Sequence, residues 1–599
     1  MTKKAHHHEK KSSQSGQPRK LSMIDTISAE ELARDPGYPG MVPEHVAQTV
    51  YYAPFKKLTE ADLKGFWVLE YRWPNGCTPY GLMFCELALT WAMQYASHHS
   101  PLPPTNGYDM RVAGTHLFGS ELALESEAVL KARDQRLAQR LPQFVDDFDR
   151  IWTQEIDALM AANRLIESYE TSGRSPEEMG DYLVYTREHV RWSWERHFEL
   201  MYLLLINHAG FYDLCTELSI PHADVATFLQ GYDSRISQGD RALWQMVDLV
   251  RENDLAQWFT STESHADLLP KMRTAGGGAA GWAEAFDQFL DEWGWRTETV
   301  ADPLSPSWIE DPAPVLQSIG TYVASGERPD FDAKRKLAED DRENALEAAR
   351  SRLSRAEQRE FDQTLDSCRK ANFLWWNEDH NFYIDYRTAI PMRKAALGLG
   401  QALDLADPED TVFCFYPELL ALARGETRWN ELSAQVGERK DYYWSWRERR
   451  HQIPKFLGVP PESVSDPILT ELDGFTPAFL ETLKIEGSAT TLNGMPASRG
   501  SATGPARVLL GADDIHQIQT GEILVCEGTT PSWTPAFTKI AGCLTDQGGT
   551  LSHAAIVGRE YGIPCVVAMG NATARIKTGD TLALDGTTGT VTILQRAHG

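Results

Sequence analysis

Apolar residues recur every three to four positions over Leu122–Leu141, Phe144–Leu165, Met179–Asn207 and Phe331–Arg369, with charges interleaved. That spacing lines the apolar side chains along one stripe of an α-helix, so the chain from about Leu58 to Leu483 is expected to be mainly helical. Arg335–Arg359 reads as a charge-rich, solvated helix face. After Gly494 the rhythm changes. Pro505–Leu510, Glu522–Cys526, Gly542–Thr545, Cys565–Val567, Thr581–Leu584 and Thr590–Leu594 are short, apolar or β-branched, and separated by Gly, Asp and Thr turns. They read as strands, with one helical stretch, His553–Tyr561, among them. The expected organisation is a polar, mobile arm over residues 1–45, a helical body over 46–486, and a small α/β domain over 487–599. No repeat with a period of 20–50 residues is present.

Composition sharpens that boundary. Of the 18 tryptophans, 17 lie at or before Trp446, whereas 17 of the 44 glycines fall from Gly487 onward. The formal net charge of −27, from 58 basic and 85 acidic residues, excludes a general binder of nucleic acid or anionic membrane. No apolar run approaches the ~20 residues of a membrane span. The eight cysteines are scattered, without CxxC pairs or histidines at zinc spacing, so free thiols are expected and no metal site is read. His6, His7 and His8 stand in a basic N-terminus with no apolar core behind them, which argues against a signal peptide and for the cytoplasm. Gly276-Gly277-Gly278 has no strand before it and no Lys-Ser/Thr after it, and reads as a connection between helices, not a phosphate cradle.

Candidate chemistry concentrates in Thr545-Asp546-Gln547-Gly548-Gly549-Thr550-Leu551-Ser552-His553 and the following helix through Arg559. A strand ends, a Gly-Gly turn lets backbones pass closely, and Ser552 stands as N-cap of a helix whose first residue is His553. Free amides and the positive helix end converge there, favouring a neutral, nucleophilic imidazole and an incoming phosphoryl group. Arg559 can bond phosphate oxygens but, six residues on, does not share the His553 face.

This string resembles the phosphohistidine swivelling domain of PEP-utilising enzymes, the family of pyruvate phosphate dikinase, PEP synthase and the rifampin phosphotransferases. The likeness extends upstream through Gly494, Ser498, Gly500, Gly504 and Arg507, and downstream through Leu584-Asp585-Gly586, Gly589 and Val591. It implies that His553 is phosphorylated, that Thr545, Gly549, Ser552 and Arg559 assist, and that the domain swings between two active sites. In the body, Trp293-Gly294-Trp295-Arg296, Glu298 and Ser307-Trp308 to Pro312 resemble a signature of the rifampin-binding and PEP-synthase-like domains, with Trp295 where the family has His. Arg72-Trp73-Pro74, Pro408-Glu409-Asp410 and Arg449 to Phe456 are similar to other landmarks of that domain.

Neither a nucleotide-binding ATP-grasp module before the domain nor a PEP-binding barrel after it is read in the sequence. That arrangement resembles the larger subunit of phenylphosphate synthase and related aryl-phosphate synthases. It implies a separate ATP-grasp partner holding ATP and Mg²⁺, no cofactor held stably by this chain, and a small phenolic acceptor converted to an aryl phosphate with release of AMP and phosphate. The alternatives are the same chemistry on an antibiotic or another small alcohol, or a phospho-carrier whose body docks partner proteins.

Phosphorylating a phenol requires that its proton leave, so a base is expected near the acceptor oxygen. The stretch Asn372–Asp385 joins acids, an imidazole and aromatic rings within a few helical turns. Glu378 carries over from the rifampin relatives; His380 is a second candidate base. Arg296, Glu298 and Arg393 are candidates for handling phosphoryl charge. Trp73, Trp375 and Trp376 are candidates for an aromatic wall around a flat acceptor.

Overall fold

The computed structural model describes residues 26–49, 51–233, 235–259, 267–297, 302–326, 328, 330–482, 490–530 and 533–597. The body is built on one long helix, Pro176–Glu217. Pro176 at its first position and a reciprocal Ser175–Glu178 capping box fix its start. Its buried residues lie all round, because Phe148–Glu167, Arg355–Lys370 and Tyr386–Ala402 pack on different sides of it. Helices Arg235–Glu252, Leu268–Ala275, Gly277–Trp293 and Ala313–Ser325 form a lobe with its own apolar core, joined from the rest of the body by Phe382. Among the described residues no helix is long and apolar enough to cross a membrane.

Three features of the body differ from the sequence reading. The amphipathic run expected over Phe331–Arg369 is two helices, Phe331–Arg350 and Arg355–Lys370, because Ser354 caps the second with Glu357 in a capping box. The body also holds a five-stranded sheet that periodicity did not reveal, in the order β1 (Lys56–Lys57), β3 (Tyr108–Ala113), β4 (His116–Glu121), β2 (Phe66–Leu69) and β5 (Phe456–Gly458). Strands β1, β2 and β5 are two to four residues long, and β3 and β4 are buried at most positions, so none shows alternation. Residues 26–45, read as part of a mobile arm, carry a helix over Ala29–Arg34 and pack onto this sheet through Ile27, Leu32 and Ala33, beside Trp67 and Trp446.

The C-terminal unit is an eight-stranded sheet in the order β6 (Thr491–Asn493), β13 (Thr590–Gln595), β12 (Thr581–Asp585), β8 (Ser501–Val508), β9 (Ile523–Cys526), β10 (Gly542–Thr545), β11 (Cys565–Val567) and β7 (Met495–Ser498). Strands β8 to β11 run parallel, and the flanking pairs are antiparallel. Alternation is plain in the centre: Leu524 and Cys526 face one core with the His553 helix, while Ile523 and Val525 face the other. All eight cysteines are buried and unlinked.

The two units are docked. Leu551, Ile556 and Ala568 of the C-terminal unit belong to the body's main apolar core. The Gly548 and Gly549 amides donate to the carbonyls of Asp473 (3.0 Å) and Leu472 (2.6 Å). A side chain on Gly549 would lie 2.2 Å from the Glu471 carbonyl oxygen, and one on Gly528 would lie 2.6 Å from the Tyr71 ring. Lys455 pairs with Asp546, Arg499 with Asp224, and the Tyr561 hydroxyl donates to Asp240.

Candidate active site

His553 opens the helix His553–Tyr561 at the joint between the units. Its Nδ1 lies 2.8 Å from the Thr529 hydroxyl, and its Nε2 lies 3.5 Å from that of Thr534. The closer contact engages Nδ1, leaving Nε2 as the nucleophilic nitrogen when Nδ1 carries the proton. Burial in the docked joint, helped by the nearby Arg296 guanidinium, pushes the His553 pKa down to about 3. The ring is therefore neutral at physiological pH, as its place at a helix N-terminus suggested.

The ring borders a cavity of about 1000 Å³ of atom-free space, including its mouth. Trp73, Tyr71, Tyr108, Trp194 and Phe198 form aromatic walls, and Glu378, His380, Asn377, Asn381, Asp385 and His197 supply polar ones. Glu378 and His380 lie on the helix Phe373–His380, which Asn372 caps by accepting from the Leu374 and Trp375 amides. The helix continues as a π-helical turn, Asn381–Asp385. In such a turn the i→i+5 hydrogen bonding brings residues five apart onto one face, so Asp385 reaches His380. Their Oδ2 and Nε2 atoms are 3.4 Å apart. His380 Nδ1 sits 3.1 Å from the Trp376 carbonyl oxygen. Burial, with the Arg72 guanidinium nearby, holds His197 well below its ordinary pKa.

The residues singled out from the sequence divide clearly. His553, Glu378, His380 and Trp73 meet at the cavity. Trp376 is buried behind it, stacked on His380 at 4.5 Å. Arg296 lies outside the wall but near enough for its charge to bear on His553, with its guanidinium over Trp308 and Phe382. Glu298 lies outside the described residues. Trp375 is 44% exposed and meets Tyr232 edge-on, so it is not part of the aromatic wall. Arg393 is held by Glu310, Glu409 and the Pro303 carbonyl, away from the cavity, because a buried guanidinium recruits the nearest carboxylates.

Within the histidine loop the assisting groups are structural in this docked state. Arg559 donates to the carbonyls of Ala497 and Thr550 (2.9 and 2.8 Å), bracing the loop instead of reaching His553. The Thr545 hydroxyl donates to the Gln547 carbonyl, fixing the turn. Ser552 occupies the N-cap position, but its hydroxyl makes no capping bond. Gly549 is the docking contact described above. Sequence reasoning overlooked Thr529, Thr530, Arg72 and His197 as cavity residues; Asp385 closed the stretch Asn372–Asp385 but was not singled out. Arg72 stood in a quoted landmark, and Thr529-Thr530 follow the β9 strand by a few residues, where a parallel sheet presents its ligand-facing loops.

A small α/β domain presenting a neutral loop-to-helix histidine to a cavity in a separate helical body is the layout of a group-carrying domain set against an acceptor site. Residues 518–589 match the mobile domain of PEP-utilising enzymes, and residues 198–378 match the fourth domain of rifampicin phosphotransferase. Over these segments the chain is similar to the phosphohistidine-type phosphotransferases of the PEP-utilising group. It is 32% identical over 494 residues to chondramide synthase cmdD of Chondromyces crocatus, covering 78% of this chain and 12% of that protein. It is 30% identical over 419 residues to the uncharacterized phosphotransferase YvkC of Bacillus subtilis, covering 68% and 48%. To the rifampicin phosphotransferase of Streptomyces sviceus it is 27% identical over 363 residues, covering 59% and 39%. The chain thus spans less than half the length of these relatives.

Proposed function

We propose that the chain transfers a phosphoryl group from His553 to the hydroxyl of a small phenol held in the cavity. The observation that carries this reading is the meeting of His553, Glu378 and aromatic walls at one cavity across the domain joint. ATP, with Mg²⁺, is bound by a nucleotide-binding unit outside residues 1–599, read here as a partner subunit of the ATP-grasp type. The His553 Nε2 attacks the β-phosphorus of ATP, AMP leaves with the bond electrons, and water then removes the terminal phosphate as inorganic phosphate. After docking, the phenol oxygen attacks phosphorus, the N–P bond breaks with its electron pair returning to Nε2, and the phenol proton passes to Glu378. The aromatic walls favour a flat ring over an aliphatic alcohol. In the test, the chain and its ATP-binding partner are incubated with ATP labelled at the β-phosphate, with and without phenol. Label should enter the native chain and not His553→Ala, and phenol should chase it into aryl phosphate. Labelling that survives the substitution, or label that phenols and other small alcohols leave in place, would sink the proposal.

A further inference from the structure

We infer that His197, His380 and Asp385 form a binding site for one divalent cation of the zinc class in the wall of the acceptor cavity, with an open coordination position facing the acceptor hydroxyl. The part concerning the acceptor rests on the function proposed above; the cation site does not.

The three side chains come from the middle of the long helix, from the last residue of the helix Phe373–His380 and from the end of the π-helical turn that follows it. All three are more than nine-tenths buried. Their ligand atoms lie within 4.8 Å of one another, with His380 Nε2 3.4 Å from Asp385 Oδ2 and His197 Nδ1 4.0 Å from Asp385 Oδ1. Zinc–nitrogen and zinc–oxygen bonds of about 2.0–2.2 Å at tetrahedral angles put ligand atoms about 3.4 Å apart. The His380–Asp385 pair already has that separation; the other pairs, within 4.8 Å, must draw closer when the ion binds.

Satisfaction of polar groups points the same way. The bond from His380 Nδ1 to the Trp376 carbonyl fixes the proton on Nδ1, which turns the Nε2 lone pair toward the Asp385 carboxylate. Two acceptors facing each other in a buried place repel unless a proton or a metal cation lies between them. Neither His197 Nδ1 nor Asp385 Oδ1 has a hydrogen-bond partner among the described residues, and both belong to this cluster. A backbone carbonyl holding the far nitrogen of a histidine is also the usual outer support of a metal ligand. Two imidazoles and one carboxylate with a position left open match catalytic zinc, where three protein ligands leave the fourth place for water or substrate. A phenol oxygen in that place loses its proton more readily, since a bound cation lowers the pKa of its oxygen ligand. His380 is then a ligand, and Glu378 alone takes the proton.

The test uses the full chain with His6, His7 and His8 replaced by Ala, so that the histidine run cannot hold metal. After treatment with a chelator, Zn²⁺ is titrated by calorimetry and the bound metal is counted after dialysis. One equivalent is expected, and His197→Ala and Asp385→Asn should each weaken binding by more than about 100-fold. Circular dichroism establishes that each variant is folded. Co²⁺ added to the unmutated cluster supplies a readout free of that concern. Its visible ligand-field bands should appear without thiolate charge transfer, and phenol should shift them even in His553→Ala, which carries no phosphoryl group. Absence of a bound equivalent, full affinity in both folded variants, or a thiolate signature would overturn the site. Co²⁺ bands indifferent to phenol would overturn its assigned role at the acceptor. Aryl phosphate formation is measured separately, so loss of the proposed function and loss of the cation site read out in different assays.

Discussion

Replacing Gly549 with Ala should uncouple the histidine domain from the body while leaving each folded. The added methyl would sit 2.2 Å from the Glu471 carbonyl oxygen, 2.8 Å from its carbon and 3.2 Å from the Gly474 nitrogen. All three are backbone atoms, so no flexible side chain can swing away and the loop itself must retreat. Retreat breaks the hydrogen bonds that the Gly548 and Gly549 amides donate to the Asp473 and Leu472 carbonyls. At about 0.5–1.5 kcal/mol for each bond, with residual strain added, docking should weaken by roughly 2–4 kcal/mol, or about 30- to 1000-fold. Lys455–Asp546, Arg499–Asp224 and Tyr561–Asp240 remain as partial anchors. A fluorophore pair, one on each unit, reads the docked fraction. Single-turnover transfer from phosphorylated His553 reads its consequence, and labelling of His553 by ATP should be unaffected. Gly281→Ala is the control, since that helical position has no positive φ and a side chain there meets nothing within 4 Å. An unchanged docked fraction in Gly549→Ala would refute the claim that the Gly-Gly turn is the docking contact.

Three further outcomes follow from the same geometry. Because docking lowers the His553 pKa to about 3 from an ordinary value near 6.5, the undocked state binds more protons between those limits, so docking is fully favoured above about pH 6.5 and weakens as pH falls toward 3. At pH 5 the loss is at most about 2 kcal/mol. It is read as the difference between the native chain and His553→Gln, which cancels the opposing contributions of Glu471 and Asp473, raised by burial to about 7 and about 6; equal pH profiles for the two chains would refute it. Glu378→Gln should slow transfer to phenol by about 10²–10⁴-fold while His553 labelling by ATP proceeds normally, and an equal loss in both steps would show that Glu378 is not the acceptor's base. Arg559→Ala should lower the melting temperature of the histidine domain by removing a donor from two buried carbonyls, a cost of roughly 2–4 kcal/mol, and a variant that melts like the native chain would return Arg559 to phosphate handling alone.

What the sequence disclosed depended on the range of the physical cause. The helix His553–Tyr561 was legible to the residue because its start, apolar face and Gly562 exit are all local signals. Glu378 and His380 were legible because one helix carries both. Asp385 joins them only through a π-helical turn, which has no composition signature, and His197 joins them only through packing of the long helix. Arg393 was read as a phosphate ligand on charge, and Arg559 on charge and family resemblance. Their partners are backbone carbonyls in one case and carboxylates from distant loops in the other, and neither can be inferred from neighbours in sequence. The five-stranded sheet failed to register for a related reason: strand β2 is four residues long, and its partner β5 comes from the far end of the body's sequence, after the helices.

The acidic balance of the chain bears on how such a domain can let go. Strong cations around His553 would bind the phosphorylated form tightly and hold it against the body after each transfer. The structure instead shows nearby cations already matched: Arg72 is held by Glu70 and Asp473, and Lys455 by Asp546 and Glu527. Around the imidazole stand the hydroxyls of Thr529 and Thr534, with Arg296 farther off, its Nε lacking a partner among the described residues. Hydroxyl donors can follow a phosphoryl group from nitrogen to oxygen without a large change in binding strength, whereas a desolvated ion pair would favour one charge state heavily. Arg296→Lys distinguishes the two designs. If Arg296 only biases the charge on His553, the substitution should preserve transfer and shift the His553 titration little; if it is a planar clamp on the phosphoryl oxygens, the loss of its bidentate geometry should slow transfer by an order of magnitude or more at unchanged docking.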